Sequence, residues 1–208
     1  MNNIESIAQY SKKFSNHELH SHIINNHLEI EAWFRKQWIK YPAPFYSSID
    51  LRNSGYKMAP VDTNLFPAGF NNLDESLESL YISAIQHTLE KQSVDIARIL
   101  IITENHTRNK FYIKSSEVLE RLIRKAGFET KSCTLGDIND LNQTNQRLTK
   151  KDGLLSYGSF APDIILLNND LSAGVPEILK KIKQLILPDL NMGWTNRSKT
   201  VHFKFYSD

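Results

Sequence analysis

Cysteine is nearly absent from this sequence, with Cys133 as the single example in 208 residues. One thiol excludes a disulfide within the chain and any metal site built from several cysteines, and it fits a reducing compartment. Because Cys133 falls inside a predicted strand, we expect it to be a buried core side chain and not a nucleophile.

Long hydrophobic runs and a strong net charge are also lacking. No apolar stretch approaches the roughly 20 residues that a membrane-spanning helix needs, and the first residues lack the apolar core of a signal peptide. A net charge of +2 provides no broad electrostatic field toward nucleic acid or membrane. We therefore expect a cytoplasmic protein that binds neither of them.

Glycine-rich and nucleophile motifs are missing as well. The chain contains no Gly-x-Gly-x-x-Gly, no Gly-x-x-x-x-Gly-Lys-Ser/Thr and no Gly-x-Ser-x-Gly segment, which removes the common dinucleotide, phosphate-loop and serine-hydrolase fingerprints. His17 and His20 have i, i+3 spacing on a predicted helix, but no third ligand follows at a useful distance. We therefore predict no metal site.

What the sequence does contain is the pattern of an α/β fold. Compact apolar runs at 98–103 and 164–167 are typical of buried strands, and a further strand is predicted at 128–134, after a helix over 112–126. Strand, helix and strand in this spacing indicate a parallel pair with a right-handed crossover. We predict a mostly parallel, Rossmann-like sheet flanked by helices.

Residues 3–40 have helical periodicity, which Pro42 interrupts. We therefore divide the chain into an N-terminal helical segment, 1–43, and an α/β substrate-binding domain, 44–208. The polar stretch 135–152 is expected to be an excursion from the sheet.

Two more helices are predicted from capping residues. Asn72 is expected to cap the first one, because Glu75 follows three residues later, and Leu80 belongs to its inward stripe. Pro176 is expected to open the second one, with Leu185 facing inward.

The stretch Asp50–Asn72 combines many polar side chains with Pro60 and Pro67. Proline disrupts helix interiors and central strands, so we predict a long ordered loop that apolar residues such as Phe66 anchor. Loops of this kind are usually functional.

Three predicted strands end in dense polar clusters. Carboxyl ends of neighbouring parallel strands lie at one edge of the sheet, where open α/β sheets bind ligands, so we expect the clusters to form one site. The candidate substrate-binding residues are Asp50, Arg52, Asn53, Asp62, Asn64, Asn72, Glu104, Asn105, His106, Arg108, Asn168, Asn169 and Asp170.

These residue types suit a small polar ligand. Asparagine offers a donor and an acceptor, Arg108 could clamp a carboxylate, Glu104 could hold an ammonium group, and Asn169 could orient an amide or ammonium group. Each side chain could instead stabilise its own loop. The residues alone indicate an α/β domain that binds a small polar ligand, and they assign no catalytic residue.

Five segments resemble the N-terminal half of the proteobacterial glutamate–cysteine ligase family, and they occur in the family's order. They are EAWFRKQW (Glu31–Trp38), PFYSSIDLRNSGYKMAPVDTNLFPAGFNNL (Pro44–Leu73), ITENHTRNKFY (Ile102–Tyr112), LLNNDLSAGVPEIL (Leu166–Leu179) and GWTNRSKTVHF (Gly193–Phe203). The resemblance covers most of residues 31–205, whereas residues 135–160 match less clearly.

The resemblance implies an enzyme related to the ATP-grasp ligases, and a fold like the domain that precedes the ATP-grasp module. Family members join the γ-carboxylate of glutamate to the amine of cysteine in the first step of glutathione synthesis, with ATP and Mg²⁺. The small-molecule partners implied for this chain are therefore glutamate and cysteine.

The nucleotide- and magnesium-binding part of the family lies in a C-terminal half that the resemblance does not cover. We therefore expect a truncated gene product or an isolated domain that binds ATP and Mg²⁺ poorly and has no ligase activity alone. Two alternatives stay open: a non-catalytic amino-acid-binding or partner-docking module, and part of another ATP-grasp ligase such as glutathione synthetase. Exposed Trp194, Phe203 and Phe205 would favour self-association or docking of the C-terminal half.

Overall fold

The computed structural model describes residues 15–55, 58–92, 94–105, 109–138 and 147–192, together with residues 200 and 204. The chain divides into two compact units, Met1–Asn64 and Leu65–Asp208. The functional division that we predicted after residue 43 stays a prediction. In the described part of the chain, no helix has the length and apolarity required to cross a membrane.

The first unit begins with two helices, α1 (Asn16–Asn25) and α2 (His27–Lys40). Ser15 caps α1 in a capping box with Glu18, which satisfies backbone donors that have no partner inside the helix. The predicted helical segment is thus confirmed from residue 16 onward, although Asn26 separates it into two helices.

The predicted loop at 50–72 is wrong in its first half, which forms a β-hairpin. Strands β1 (Ser48–Asn53) and β2 (Met58–Asn64) pair antiparallel, with a register shift between Asp50 and Leu51. Pro60 lies within β2 because a two-stranded sheet consists only of edges, where a missing N–H donor is tolerated.

The second unit contains the remaining regular elements. In chain order they are α3 (Glu78–Glu90), β3 (Arg98–Thr103), α4 (Lys110–Lys125), β4 (Glu129–Thr134), β5 (Leu148–Lys151), β6 (Leu154–Tyr157), β7 (Ile164–Asn168) and β8 (Leu185–Leu187).

A four-stranded parallel sheet forms the centre of this unit, in the order β4-β3-β7-β8. All five residues of β7 are buried, and so are the last five of β3, as expected for strands covered on both faces. The predicted βαβ unit of β3, α4 and β4 and the predicted α/β fold with a mostly parallel sheet are confirmed.

An antiparallel hairpin, β5–β6, packs its apolar side chains with one face of the sheet. Leu148 and Leu155 of the hairpin share a buried cluster with Leu100 and Leu167 of the sheet. Cys133 lies in the same cluster with 4% of its surface exposed, which confirms that it is a core residue.

The helix predicted from Asn72 begins later in the chain. Asn72 ends a 3-10 turn, Asp74 caps the next turn through Ser76, and α3 starts only at Glu78. Leu73 and Leu77, two of the six residues of the predicted apolar stripe, precede the helix. Helical spacing therefore does not align the whole stripe with the core, and 61% of Leu80 is exposed.

The helix predicted after Pro176 is also wrong. Only a 3-10 turn, Glu177–Leu179, forms there, and the apolar run that follows becomes β8 at the edge of β7. The Gln184 side chain binds this segment to β6, since it donates to the Leu155 carbonyl at 2.9 Å and accepts from the Leu155 amide at 2.7 Å.

Helix α4 holds the turn at Gly69 through a buried serine. The Ser115 hydroxyl oxygen accepts hydrogen bonds from the backbone N–H groups of Gly69 at 2.9 Å and of Phe70 at 3.1 Å. Gly69 has φ +96°, a conformation that other residues rarely adopt. Ser115 therefore stabilises the segment that follows Pro67.

We predict that Ser115→Ala lowers the free energy of unfolding by about 1–3 kcal/mol, because two backbone donors lose a buried acceptor. Urea denaturation of the 208-residue chain measures the loss.

Ser116→Ala provides the matched control. The Ser116 hydroxyl donates to the Tyr112 carbonyl one turn earlier and interacts with the Tyr112 hydroxyl. Among the described residues it accepts from no backbone N–H group, so its removal should change stability by less than about 1 kcal/mol. Equal losses in the two variants would contradict the proposed role of Ser115.

Candidate functional site

The carboxyl edge of the parallel sheet brings two of the three predicted polar clusters together. Thr103 of β3 is in register with Asn168 of β7, and both strands run in the same direction. Glu104 and Asn105 therefore leave the sheet beside Asn169 and Asp170. The described residues of these two clusters thus lie at the same sheet edge, as predicted.

The third cluster does not lie at a strand end of this sheet. β1 pairs only with β2, in a separate sheet of the first unit, so its predicted place in the parallel sheet is wrong. The physical reason is local. The hairpin partner begins at Met58, soon after β1 ends at Asn53, and closing so short a loop costs less entropy than pairing with a distant parallel strand. Asp50, Arg52, Asn53, Asp62 and Asn64 all lie on this hairpin.

The Tyr112 hydroxyl connects the ends of β3 and β7. It accepts a hydrogen bond from the Glu104 N–H at 2.9 Å and donates to the Asn168 carbonyl at 2.9 Å, with Asn168 Oδ1 at 3.1 Å. Burial raises the pKa of the Tyr112 hydroxyl, against the lowering effect of the Glu104 amide. The nearby charges of Glu104 and Asp170 raise the same pKa further.

Asn168 is a buried member of this network, with 2% of its surface exposed. Its Nδ2 donates to the Pro67 carbonyl at 2.9 Å, and its Oδ1 faces Tyr112. The amide therefore holds the 67–70 segment against β7, and the burial leaves it little surface for a ligand.

Asn169 and Asp170 form the turn that follows β7. Asn169 Nδ2 donates to the Thr103 carbonyl at 3.3 Å, and Asn169 Oδ1 accepts from the Leu171 amide. Asp170 Oδ1 accepts from the Ser172 amide at 2.9 Å, which leaves its second carboxylate oxygen available. Both side chains are half-buried, so this turn is preorganised and accessible.

A groove of about 410 Å³ lies between α4 and β4 at the same edge. We call it the α4–β4 groove, and its volume falls within the roughly 300–1,000 Å³ of small-molecule pockets. It is lined by Thr103, Glu104, Asn105, Tyr112, Ile113, Ser116, Glu117, Glu120, Ser132 and Thr134.

Asn105 lies close to Gly136, just beyond the carboxyl end of β4. A Cβ atom at position 136 would come within 3.2 Å of Asn105 Nδ2 and 3.3 Å of Thr134 Oγ1. The glycine thus lets the chain after β4 approach the end of β3 closely, and a larger residue there would displace the Asn105 amide.

The remaining candidates are not among the described residues that follow β3 and β7. Asn72 belongs to the 3-10 turn Phe70–Asn72, which Ser115 anchors through the Phe70 amide. His106 and Arg108 lie outside the described residues, as do Trp194, Phe203 and Phe205. None of the thirteen candidate roles is tested by the structure alone, and they stay predictions.

The sequence did contain a signal for two residues that we missed. Ser115 occupies a position of the α4 apolar stripe, four residues before Leu119 and seven before Leu122, and a polar residue there indicates a buried hydrogen bond. Tyr112 follows the helix cap Asn109 by three residues, which places it in the first turn above the sheet edge. Nothing in the linear spacing marked Glu117 or Ser132 as groove residues.

The model of the glutamate–cysteine ligase family matches residues 20–208. The chain belongs to this family. The matched range includes residues of both compact units, among them the strand ends and the lining of the α4–β4 groove.

A solved structure supports the family assignment. The chain is 41% identical to a protein from Methylobacillus flagellatus KT that is assigned as a gamma-glutamylcysteine synthetase, with a TM-score of 0.78. The match covers 91% of this chain and 47% of that chain, so this chain spans about half the length of its relative. No curated protein sequence matches it.

We predict that Tyr112→Phe lowers the free energy of unfolding by about 1–3 kcal/mol, because the Glu104 amide and the Asn168 carbonyl both lose their partner. Tyr81→Phe is the matched control, since the half-buried Tyr81 hydroxyl has no hydrogen-bond partner among the described residues. Thermal and urea unfolding compare the two variants, and an equal effect would exclude a special role for Tyr112.

The stability that the Tyr112 hydroxyl contributes should depend on pH, and the raised pKa defines the direction. The folded-state pKa of Tyr112 is raised, so the stability that its hydroxyl contributes is complete below about pH 10 and is lost as the pH rises through the folded-state value. The stability difference between the unmodified chain and Tyr112→Phe should therefore narrow above about pH 10. A difference that stays constant or widens would disprove this linkage.

Proposed function

We propose that this chain forms the substrate-binding part of an ATP-dependent glutamate–cysteine ligase, which joins the γ-carboxylate of glutamate to the amino group of cysteine. The observation that carries the proposal is the meeting of Glu104 and Asn105 with Asn169 and Asp170 at one sheet edge, in a chain of this family. Crevices at this edge bind ligands in open α/β folds.

We assign glutamate to the β7 side of the edge. The Asn169–Asp170 turn combines amide groups with one carboxylate, and its backbone is already ordered by the hydrogen bonds to Leu171 and Ser172. The second oxygen of Asp170 would hold the ammonium group of glutamate, and amide donors suit its carboxylates. A preorganised turn reduces the entropic cost of binding.

Bound ATP supplies the phosphoryl group that activates the glutamate γ-carboxylate. In this unit the residues of the sheet edge would orient that carboxylate and limit the access of water to it. Among the described residues, no group of three or more His, Cys, Asp or Glu side chains lies together as a metal site would require if the protein supplied most of the ligands. We therefore assign no Mg²⁺ ligands and no step through the ion.

Two predictions, one about cellular location and one about activity, rest on the sequence. We keep the cytoplasm as the expected location, and we expect the 208 residues alone to show no ligase turnover. Incubation of the purified chain with glutamate, cysteine, ATP and Mg²⁺ should form no γ-glutamylcysteine, as measured by mass spectrometry. ATP-dependent product formation by the purified chain would refute this expectation.

Asp170→Asn tests the binding role directly. This substitution keeps the Oδ1 acceptor for Ser172 and removes only the charge, so we expect about a tenfold weaker affinity for glutamate with the fold intact. Isothermal titration calorimetry measures the affinity, with and without ATP.

Asp74→Asn is a closely matched control. Asp74 also accepts from the amide two residues later, Ser76, at 2.9 Å through Oδ1, but it lies outside the sheet edge. It should leave glutamate binding unchanged. If neither glutamate nor cysteine binds the chain, with or without ATP, the proposed function is wrong; if cysteine alone binds, our placement of glutamate is wrong.

A further inference from the structure

The α4–β4 groove differs in charge from the β7 side of the same edge. Among the described residues that line it, every charged side chain is a glutamate: Glu104, Glu117 and Glu120. The β7 side presents one carboxylate, Asp170, beside the amide of Asn169. With respect to these described residues, a ligand with an additional carboxylate is therefore repelled more strongly in the groove than on the β7 side.

The three carboxylates are not equivalent. Glu120 accepts a hydrogen bond from Ser132 Oγ at 2.6 Å and forms an ion pair with Arg124, so its charge is compensated. Glu117 precedes it by three residues on α4, is exposed, and forms no ion pair with a described residue. Glu117 therefore presents to the groove a carboxylate that no ion pair with a described residue compensates.

The rest of the lining suits a small zwitterion with a short, weakly polar side chain. The side-chain amide of Asn105 can donate to one carboxylate, and the side chain of Ile113 together with the Tyr112 ring provides apolar contact. Cysteine has these features: one ammonium group, one carboxylate and a thiol. Glutamate carries an additional carboxylate, and ATP carries a highly charged triphosphate.

We propose that the α4–β4 groove binds the acceptor amino acid, cysteine, and that Glu117 is a specificity-determining residue that contacts its ammonium group. This inference rests on the proposed function, and it assigns the two amino acids to opposite flanks of β3. Cysteine lies on the β4 flank and glutamate on the β7 flank.

Ligand analogues separate the contribution of each group. In NMR titrations of the ¹⁵N-labelled chain under reducing conditions, cysteine should shift the amide signals of the groove residues Ser116, Ser132 and Thr134. Cysteamine, which keeps the ammonium and the thiol, should bind within about tenfold of cysteine. 3-Mercaptopropionate, which lacks the ammonium, should bind at least about tenfold more weakly.

Charge-removing variants test the residue assignment. Glu117→Gln should weaken the binding of cysteine and cysteamine about three- to fivefold, as expected for a solvent-exposed ion pair, and should leave glutamate affinity unchanged. Glu75→Gln is the control, because Glu75 lines a different, smaller cavity of about 130 Å³. Neither substitution removes a core contact, since both side chains are exposed.

The outcomes distinguish this inference from the proposed function. If cysteine binds but shifts signals of the β7 turn and not of the groove, or if Glu117→Gln and Glu75→Gln behave alike, the groove assignment is overturned while the function stands. Tighter binding of 3-mercaptopropionate than of cysteamine would also overturn it. If neither amino acid binds anywhere, the proposed function fails and this inference fails with it.

Discussion

The hydrogen bonds of the Tyr112 hydroxyl are the interaction on which the carboxyl edge of the sheet depends. They join the first residue after β3 to the last residue of β7, and Asn168 extends the connection to the Pro67 carbonyl. A polar group that is buried without a partner is costly, so each of these groups constrains the others. The result is a rigid edge on which the more exposed side chains can be held in defined positions.

This constraint separates two kinds of polar residue at the strand ends. Asn168 and Tyr112 bind other groups of the protein with their polar atoms, whereas Asp170 and Glu117 each keep a carboxylate oxygen without a hydrogen-bond partner among the described residues. A dense polar cluster in the sequence does not distinguish these cases, because the same residue types serve both purposes. The separation follows from burial, which excludes water from the first kind and requires that every donor be matched.

The central sheet could be predicted from short-range pattern, because strands covered on both faces have continuous apolar runs. β3, α4, β4 and β7 were predicted within a few residues. Two signals in the sequence were overlooked. The Asp152–Gly153 pair, with φ of +53° and +80°, is a typical two-residue hairpin turn between β5 and β6. The second signal is Pro60, which an edge strand tolerates. The run at 185–187 could not be assigned from spacing, because its strand form depends on β7 and on the Gln184 contacts with β6.

Family, fold class and the identity of the buried strands are readable from the chain in linear order, because long motifs and unbroken apolar runs are local properties. The spatial contacts between distant parts of the chain are not a local property. The fold alone established that Thr103 is in register with Asn168, that β1 belongs to a hairpin, and that Glu117 and Ser132 share a groove. These relations connect residues that are distant in the sequence, and they arise from competition between alternative pairings and packings, which no segment contains on its own.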